Sequence, residues 1–277
     1  MRCAPWGAPP AAPPTGPRLG FRGEVRAGAS TLIGCVLAVV VAVSGAGAYE
    51  EGAAADGGTL SGVVRFSGTP PTLEPLRVNK NRDICGDQKV SEALVLGAER
   101  GVRGSVVTIE GISRGKKPSG EAVLDNHGCL FVPHVVGVMA GGRARIRNSD
   151  AMLHNTHGLH GGRTVFNLAL PVQDQIVDIT RRLSKPGVVR ILCDAHPHMF
   201  AWMVVHDSPY IAVTDERGAY RMDQVPPGAY KVSMWHEGFR AKGADKDGRP
   251  VHDEPVTVTK DVVIPARGVV KIDFELK

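Results

Sequence analysis

The chain has 277 residues, with 33 Lys or Arg against 28 Asp or Glu and a formal charge of +5 at neutral pH. That length suits two ordinary domains or one large one. Its 34 glycines and 20 prolines favour turns over long helices and lean toward an all-β fold. No basic patch with interleaved aromatics occurs, so the basic balance does not point to nucleic acid.

In chain order, residues 1–48 stand apart. Arg2, Arg18, Arg22 and Arg26 precede an apolar run from about Thr31 to Val43, which ends in the A-x-A pattern of Ser44-Gly-Ala46-Gly-Ala48. This is the layout of a secretory signal peptide. Its leading region is long and Pro-rich, which leaves an uncleaved N-terminal anchor as the alternative. The apolar run is, however, shorter than the roughly twenty residues a spanning helix needs. Leu32-Ile-Gly-Cys35 is a poor lipobox, because the apolar stretch follows Cys35 instead of preceding it. The expectation is an exported protein, periplasmic or extracellular, that meets a membrane only if this segment is retained. Setting aside its four basic residues and Glu24 leaves 29 basic and 27 acidic groups, a charge of only +2.

Thr59–Phe66 alternates as a strand and is broken by Gly68-Thr-Pro-Pro71; Ser105–Ile109 is a second strand, followed by a solvated loop at Gly115–Gly120. Residues 72–102 have no clear period and read as an irregular excursion carrying Cys85. Cys129–Val138, Ala144–Arg147, Val188–Leu192 and Met203–Val205 read as further strands, with turns at Gly141-Gly142 and Lys185-Pro-Gly187. His154 then falls in a loop after Arg147, and Cys193 follows directly on Leu192. Further on, Asp215–Gly218 and Pro226–Gly228 are hairpin turns between alternating segments. Val256–Val258 and Val269–Phe274 complete a small sandwich, in which Trp235-His-Glu237 reads as core.

The chemistry concentrates in Cys193-Asp-Ala-His196-Pro-His-Met199, together with Asn148-Ser-Asp-Ala-Met-Leu-His154-Asn155 upstream. A thiolate, two imidazoles and a thioether are the donors of a trigonal His₂Cys copper centre with a weak axial Met. The motif C-x-x-H alone also recurs in zinc sites, and a lone Cys is most often a small hydrophobe. Cysteine number bears on the choice. Cys85, Cys129 and Cys193 remain after the leader, and an odd count in an oxidising compartment implies a free thiol or a ligand. If Cys193 holds a metal, Cys85 and Cys129 are left to form a disulfide worth about 3–4 kcal/mol by loop closure. Three reduced structural thiols are the plain alternative.

These two stretches, with Ser184-Lys-Pro-Gly187 leading a strand into Cys193, resemble the cupredoxin (plastocyanin-like) family, especially the exported members of the methylamine-utilisation type. The resemblance spans about residues 59–206. It implies a Greek-key β-sandwich with one copper ion held by His154, Cys193, His196 and Met199, and Asn155 tying the His loop to the Cys loop. Plastocyanin-like loops place Met five residues after His, whereas Met199 follows His196 by three. Met203 or a backbone carbonyl therefore compete for the axial position, and His198 competes with His196 or supports it from outside. His134, His157 and His160 are further candidates around the site. Residues 207–277 resemble the carboxypeptidase regulatory-like (prealbumin-like) β-sandwich, a non-catalytic module.

Thiolate plus imidazole accommodates both Cu(I) and Cu(II), so the leading expectation is one-electron transfer with a redox partner protein. No separate signature of a general acid, a base or an open coordination position suggests an enzyme. The other readings are a binding or adhesion protein of two sandwiches without functional copper, and copper storage or delivery.

Overall fold

The computed structural model describes residues 49–53 and 55–277. The expected leader, residues 1–48, and Cys35 lie outside the described residues. The regular structure among the described residues is almost all strand, with one four-residue α-helix at Arg82–Cys85 and two short 3₁₀ turns.

Two β-sandwiches share the chain. In the first, a five-stranded sheet runs in the spatial order Val135–Met139, Phe200–His206, Gly187–Leu192, His154–His160 and Arg163–Leu170. It faces a four-stranded sheet ordered Leu130–Val132, Ala122–His127, Ala144–Asn148 and Ile176–Asp178. Leu124, Phe131, Ile146, Leu170, Ile191 and Met203 fill the space between them. The second sandwich pairs a sheet of Ile211–Val213, Val106–Ile109, Gly228–His236 and Val256–Ile264 with one of Ala219–Val225, Gly58–Phe66 and Val269–Lys271; Phe274–Leu276 extends the last pairing. Its core holds Leu60, Val64, Ile109, Tyr220, Met234 and Phe239.

Strand pairing corrects the expected division into 59–206 and 207–277. Gly58–Phe66 hydrogen-bonds to Ala219–Val225 and to the C-terminal strands, and Val106–Ile109 lies between Ile211–Val213 and Gly228–His236. The cause is the buried face of the first strand. Leu60, Val64 and Phe66 alternate with half-buried residues and complete the C-terminal core. The first sandwich is thus an insertion in the second.

The halves meet face to face. Phe200–His206 turns Met203 and Val205 into its own core. Its other face puts Val204 with Val106 and Val135, and Trp202 with Trp235. The two indoles meet edge-on with ring centroids 5.6 Å apart. Burial on both faces explains why this strand reads as an apolar run and not as an alternation. The stretch 129–138, expected as one strand, is two, 130–132 and 135–139, separated at Pro133-His134.

Glu237 locks the junction. Its Oε1 lies 2.5 Å from His134 Nε2, and its Oε2 accepts the Trp202 Nε1–H at 2.7 Å. His134 is therefore committed to the interface between the sandwiches, and Glu237, 2% exposed, serves as a polar tie within the core expected at Trp235–Glu237.

Candidate metal centre

His154 opens a strand instead of sitting in a loop, because His154–His160 buries alternate residues: His154, Thr156 and Gly158. That strand pairs antiparallel with Gly187–Leu192, in the register His157 to Leu192 and Gly158 to Ile191. Continuing the register sets Cys193 opposite Thr156, on the face that also carries His154. The start of one strand thus lies beside the end of its neighbour.

The Cys193–Met199 loop is closed on itself. The Cys193 N–H donates to the Met199 carbonyl at 3.2 Å, and the Met199 N–H to the His196 carbonyl at 2.9 Å. This folds His196 back over Cys193, with its Nδ1 3.6 Å from Sγ. The donor atoms of His154, Cys193 and His196 all lie within 4.8 Å of one another. His154 and Cys193 are fully buried and His196 is 1% exposed.

Two observations test whether these residues fit a metal. His154 Nδ1 is buried without a hydrogen-bond partner, although its Nε2 is held by Asp150 Oδ2 at 2.9 Å. A buried lone pair left unpaired calls for an explanation, and an ion supplies one. The second is distance. With metal–sulfur and metal–nitrogen bonds of about 2.3 and 2.0 Å and angles between tetrahedral and trigonal, sulfur and nitrogen stand about 3.5–3.7 Å apart. The observed 3.6 Å fits that range.

The electrostatics suit a cation. Burial lowers the pKa of His154 despite Asp150. Burial, with the neighbouring His154, His198 and Lys80, lowers His196 to about 4, and burial lowers His198 to about 4. All three imidazoles are neutral at physiological pH, with lone pairs available. Burial pushes the Cys193 thiol up, against backbone N–H groups of Asn155, His196 and Ala195 that favour the thiolate. A bound cation would reverse that balance. These depressed histidines also make the metal-free fold acid-sensitive. Their stabilising effect is complete above the unfolded pKa of about 6.5 and is lost as pH falls toward 4. The metal-free protein should therefore show a falling thermal midpoint over that window, followed by circular dichroism. A pH-independent midpoint would contradict the assigned burial.

Outside the three donors, Asn155 ties the loops together. Its Oδ1 accepts the Asp194 N–H, and its Nδ2 donates to Asp194 Oδ2 at 3.1 Å and to Asn167 Oδ1 at 2.5 Å. His198 is 2% exposed; its Nε2 meets the Cys129 carbonyl at 3.1 Å, and its ring centroid is 5.9 Å from that of His196. It stands beside the trio but outside the group of converging donors. Met199 and Met203 are both fully buried in the cluster containing Cys193. His157 is engaged elsewhere, with Asp194 at 3.2 Å and Thr164 at 2.7 Å, and the His160 ring packs over Gly187. Cys85 and Cys129 form the disulfide, Cα atoms 5.6 Å apart.

Three supporting residues escape a reading of the sequence. Asp150 aligns His154, its carboxylate fixed by the N–H groups of Gly128 and Cys129 at 2.7 and 2.8 Å. Asn81 Oδ1 meets His196 Nε2 at 3.0 Å, so the excursion covers that imidazole. Arg249, in the turn of a separate hairpin between Ala241–Ala244 and Pro250–His252, donates to the Cys193 carbonyl at 2.9 Å while 7% exposed. Asp150 stands four residues from His154, a spacing that could have flagged it. Asn81 and Arg249 carry no such signal, because folding alone brings them close. Replacing Arg249 with Ala leaves that carbonyl unpaired and should cost about 1–3 kcal/mol, read from denaturant unfolding. An unchanged midpoint would remove Arg249 from the support of the Cys loop.

No protein-family model matches the chain, and no curated protein does. Three solved structures with partial likeness are a copper-containing nitrite reductase from Thermus scotoductus SA-01, a purple cupredoxin from Nitrosopumilus maritimus and amicyanin from Paracoccus versutus. The nitrite reductase is 19% identical over 33% of this chain, with a TM-score of 0.28, and only 23% of its own length is covered. The cupredoxin is 18% identical over 31% of this chain and 99% of its own, with a TM-score of 0.27. For amicyanin the figures are 19%, 42% and 94%, with a TM-score of 0.27.

Proposed function

We propose that this chain binds one copper ion, which His154, Cys193 and His196 would hold with Met199 as a weaker fourth donor, and passes single electrons to a redox partner protein. The observation that carries this reading is His154, whose Nδ1 is buried and unpartnered and whose ring converges within 4.8 Å on a thiol and a second neutral imidazole. Thiolate with imidazoles selects copper over hard cations and tolerates both of its oxidation states. Copper would supply the redox couple. The chain's own residues hold the donors still, since Asp150, Asn81 and Asn155 fix both imidazoles and the Cys loop, which keeps reorganisation small when the charge changes. Full burial of the donors shields them from water, which favours electron transfer over catalysis. The A-x-A leader supports export, and an oxidising compartment suits the Cys85–Cys129 bridge.

The test is the visible and paramagnetic-resonance spectrum of protein loaded with Cu(II). An intense thiolate-to-copper band that bleaches on one-electron reduction and returns on oxidation is expected. A colourless copper-loaded protein would overturn the reading.

A further inference from the structure

Beside the His₂Cys group lies a second cluster of soft donors. Met152 Sδ stands 4.0 Å from Cys85 Sγ and 3.9 Å from Cys129 Sγ. Cys129 Sγ, a carboxylate oxygen of Asp150 and a ring nitrogen of His154 also lie within 4.8 Å of one another. In the oxidised chain this cluster offers no thiolate, because both cysteines are spent in the disulfide.

We propose that reduction of Cys85–Cys129 creates a second, thiol-dependent Cu(I) site made of Cys85, Cys129 and Met152. Three sulfurs around one ion, each about 2.3 Å from it in a plane, stand about 4.0 Å from one another. Two of the three edges of that triangle already have this length, and cleaving the S–S bond frees the third to open. Thiolates and a thioether are the ligands that select Cu(I). An ion held there would lie next to His154, a donor of the first site.

The chemistry balances with a dithiol as reductant. Two electrons and two protons pass from the dithiol, which closes to its own disulfide, and Cys85 and Cys129 become thiols. Cu(I) then displaces both thiol protons to solvent, while the Met152 thioether donates a lone pair with no proton change. A route for the reductant exists, because Cys85 ends the four-residue helix Arg82–Cys85, in which Arg82, Asp83 and Ile84 are all exposed. Opening that single turn uncovers the bridge without disturbing either sheet.

The second site does not depend on the first, and one experiment separates them. Wild-type and Cys193→Ser proteins are compared with the disulfide intact and after reduction by dithiothreitol, which is then removed anaerobically. Cu(I) is titrated against bicinchoninate, with near-ultraviolet circular dichroism recorded alongside. Uptake is expected to rise on reduction from one to two ions in wild type and from none to one in Cys193→Ser, with the dichroism retained. Met152→Leu, which keeps the disulfide and the volume, should weaken the extra ion at least about tenfold, the least that loss of even an outer-shell partner typically costs. Equal uptake before and after reduction, an extra ion indifferent to Met152→Leu, or collapse of the dichroism on reduction would each overturn the proposal. Failure of oxidised wild type to take up copper would instead sink only the first site.

Discussion

A Cys193→Ser protein is expected to lose the visible band completely and to bind copper at least about 100-fold more weakly than wild type. A hydroxyl in place of the thiolate is hard and uncharged at neutral pH, so the soft, charge-donating bond disappears. Loss of an outer-shell partner already costs roughly 10–100-fold, and Cys193 is a proposed direct donor. His154→Ala should act similarly, because it removes a buried Nδ1 that has no other partner and belongs to the converging donors. The contrast is His157→Ala. His157 is bound to Asp194 and Thr164, so its removal should leave the band in place. Absorption and copper stoichiometry on the three variants check the assignment. A Cys193→Ser protein that keeps its colour, or a His157→Ala protein that loses it, would show that the wrong residues have been chosen.

Glu237→Ala is expected to destabilise the fold by about 3–5 kcal/mol, since it strips the partner from a buried histidine and from an indole N–H at the junction of the two sandwiches. In a unit of this size that lowers the thermal midpoint by about 10 °C. The pair also sets a pH dependence. Burial alone would discourage charge on His134, but Glu237 outweighs it and the His134 pKa is raised. A raised histidine stabilises fully below its unfolded pKa of about 6.5, and the contribution fades as pH climbs through the folded value. Glu237→Gln should therefore flatten the alkaline side of the stability profile while leaving the copper spectrum intact. Thermal unfolding across pH with and without copper reads both effects. A Glu237→Ala midpoint within about 2 °C of wild type would refute the tie between the sandwiches.

These two signs oppose each other. His154, His196 and His198 withdraw stability from the metal-free fold as pH falls, and His134 withdraws it as pH rises. The metal-free protein should be most stable in the interval between them. Copper should extend the acid side alone, because only that group of histidines faces the proposed ion.

Much of the site is legible in the amino-acid sequence. The C-x-x-H-x-x-M stretch, the His-Asn pair and the odd cysteine count depend only on residue type and on spacing along the chain. The disulfide follows from the same arithmetic, and Cys85 and Cys129 are joined. The all-β character is visible in the turn residues and alternating runs. The strand at His154–His160 is not, because its buried positions are His, Thr and Gly, polar or small residues that a hydrophobic pattern passes over.

Tertiary structure decided the rest, for one physical reason: strand pairing and hydrogen bonding link residues by proximity, not by order in the chain. Gly58–Phe66 alternates equally well for either sandwich, and only the fit of Leu60, Val64 and Phe66 into the C-terminal core assigns it. Arg249 reaches the Cys193 carbonyl from 56 positions away, and Asn81 caps His196 from 115. The candidate donor types are written in the local sequence; the dry and clamped state of those residues comes from elements that folding alone assembles around them.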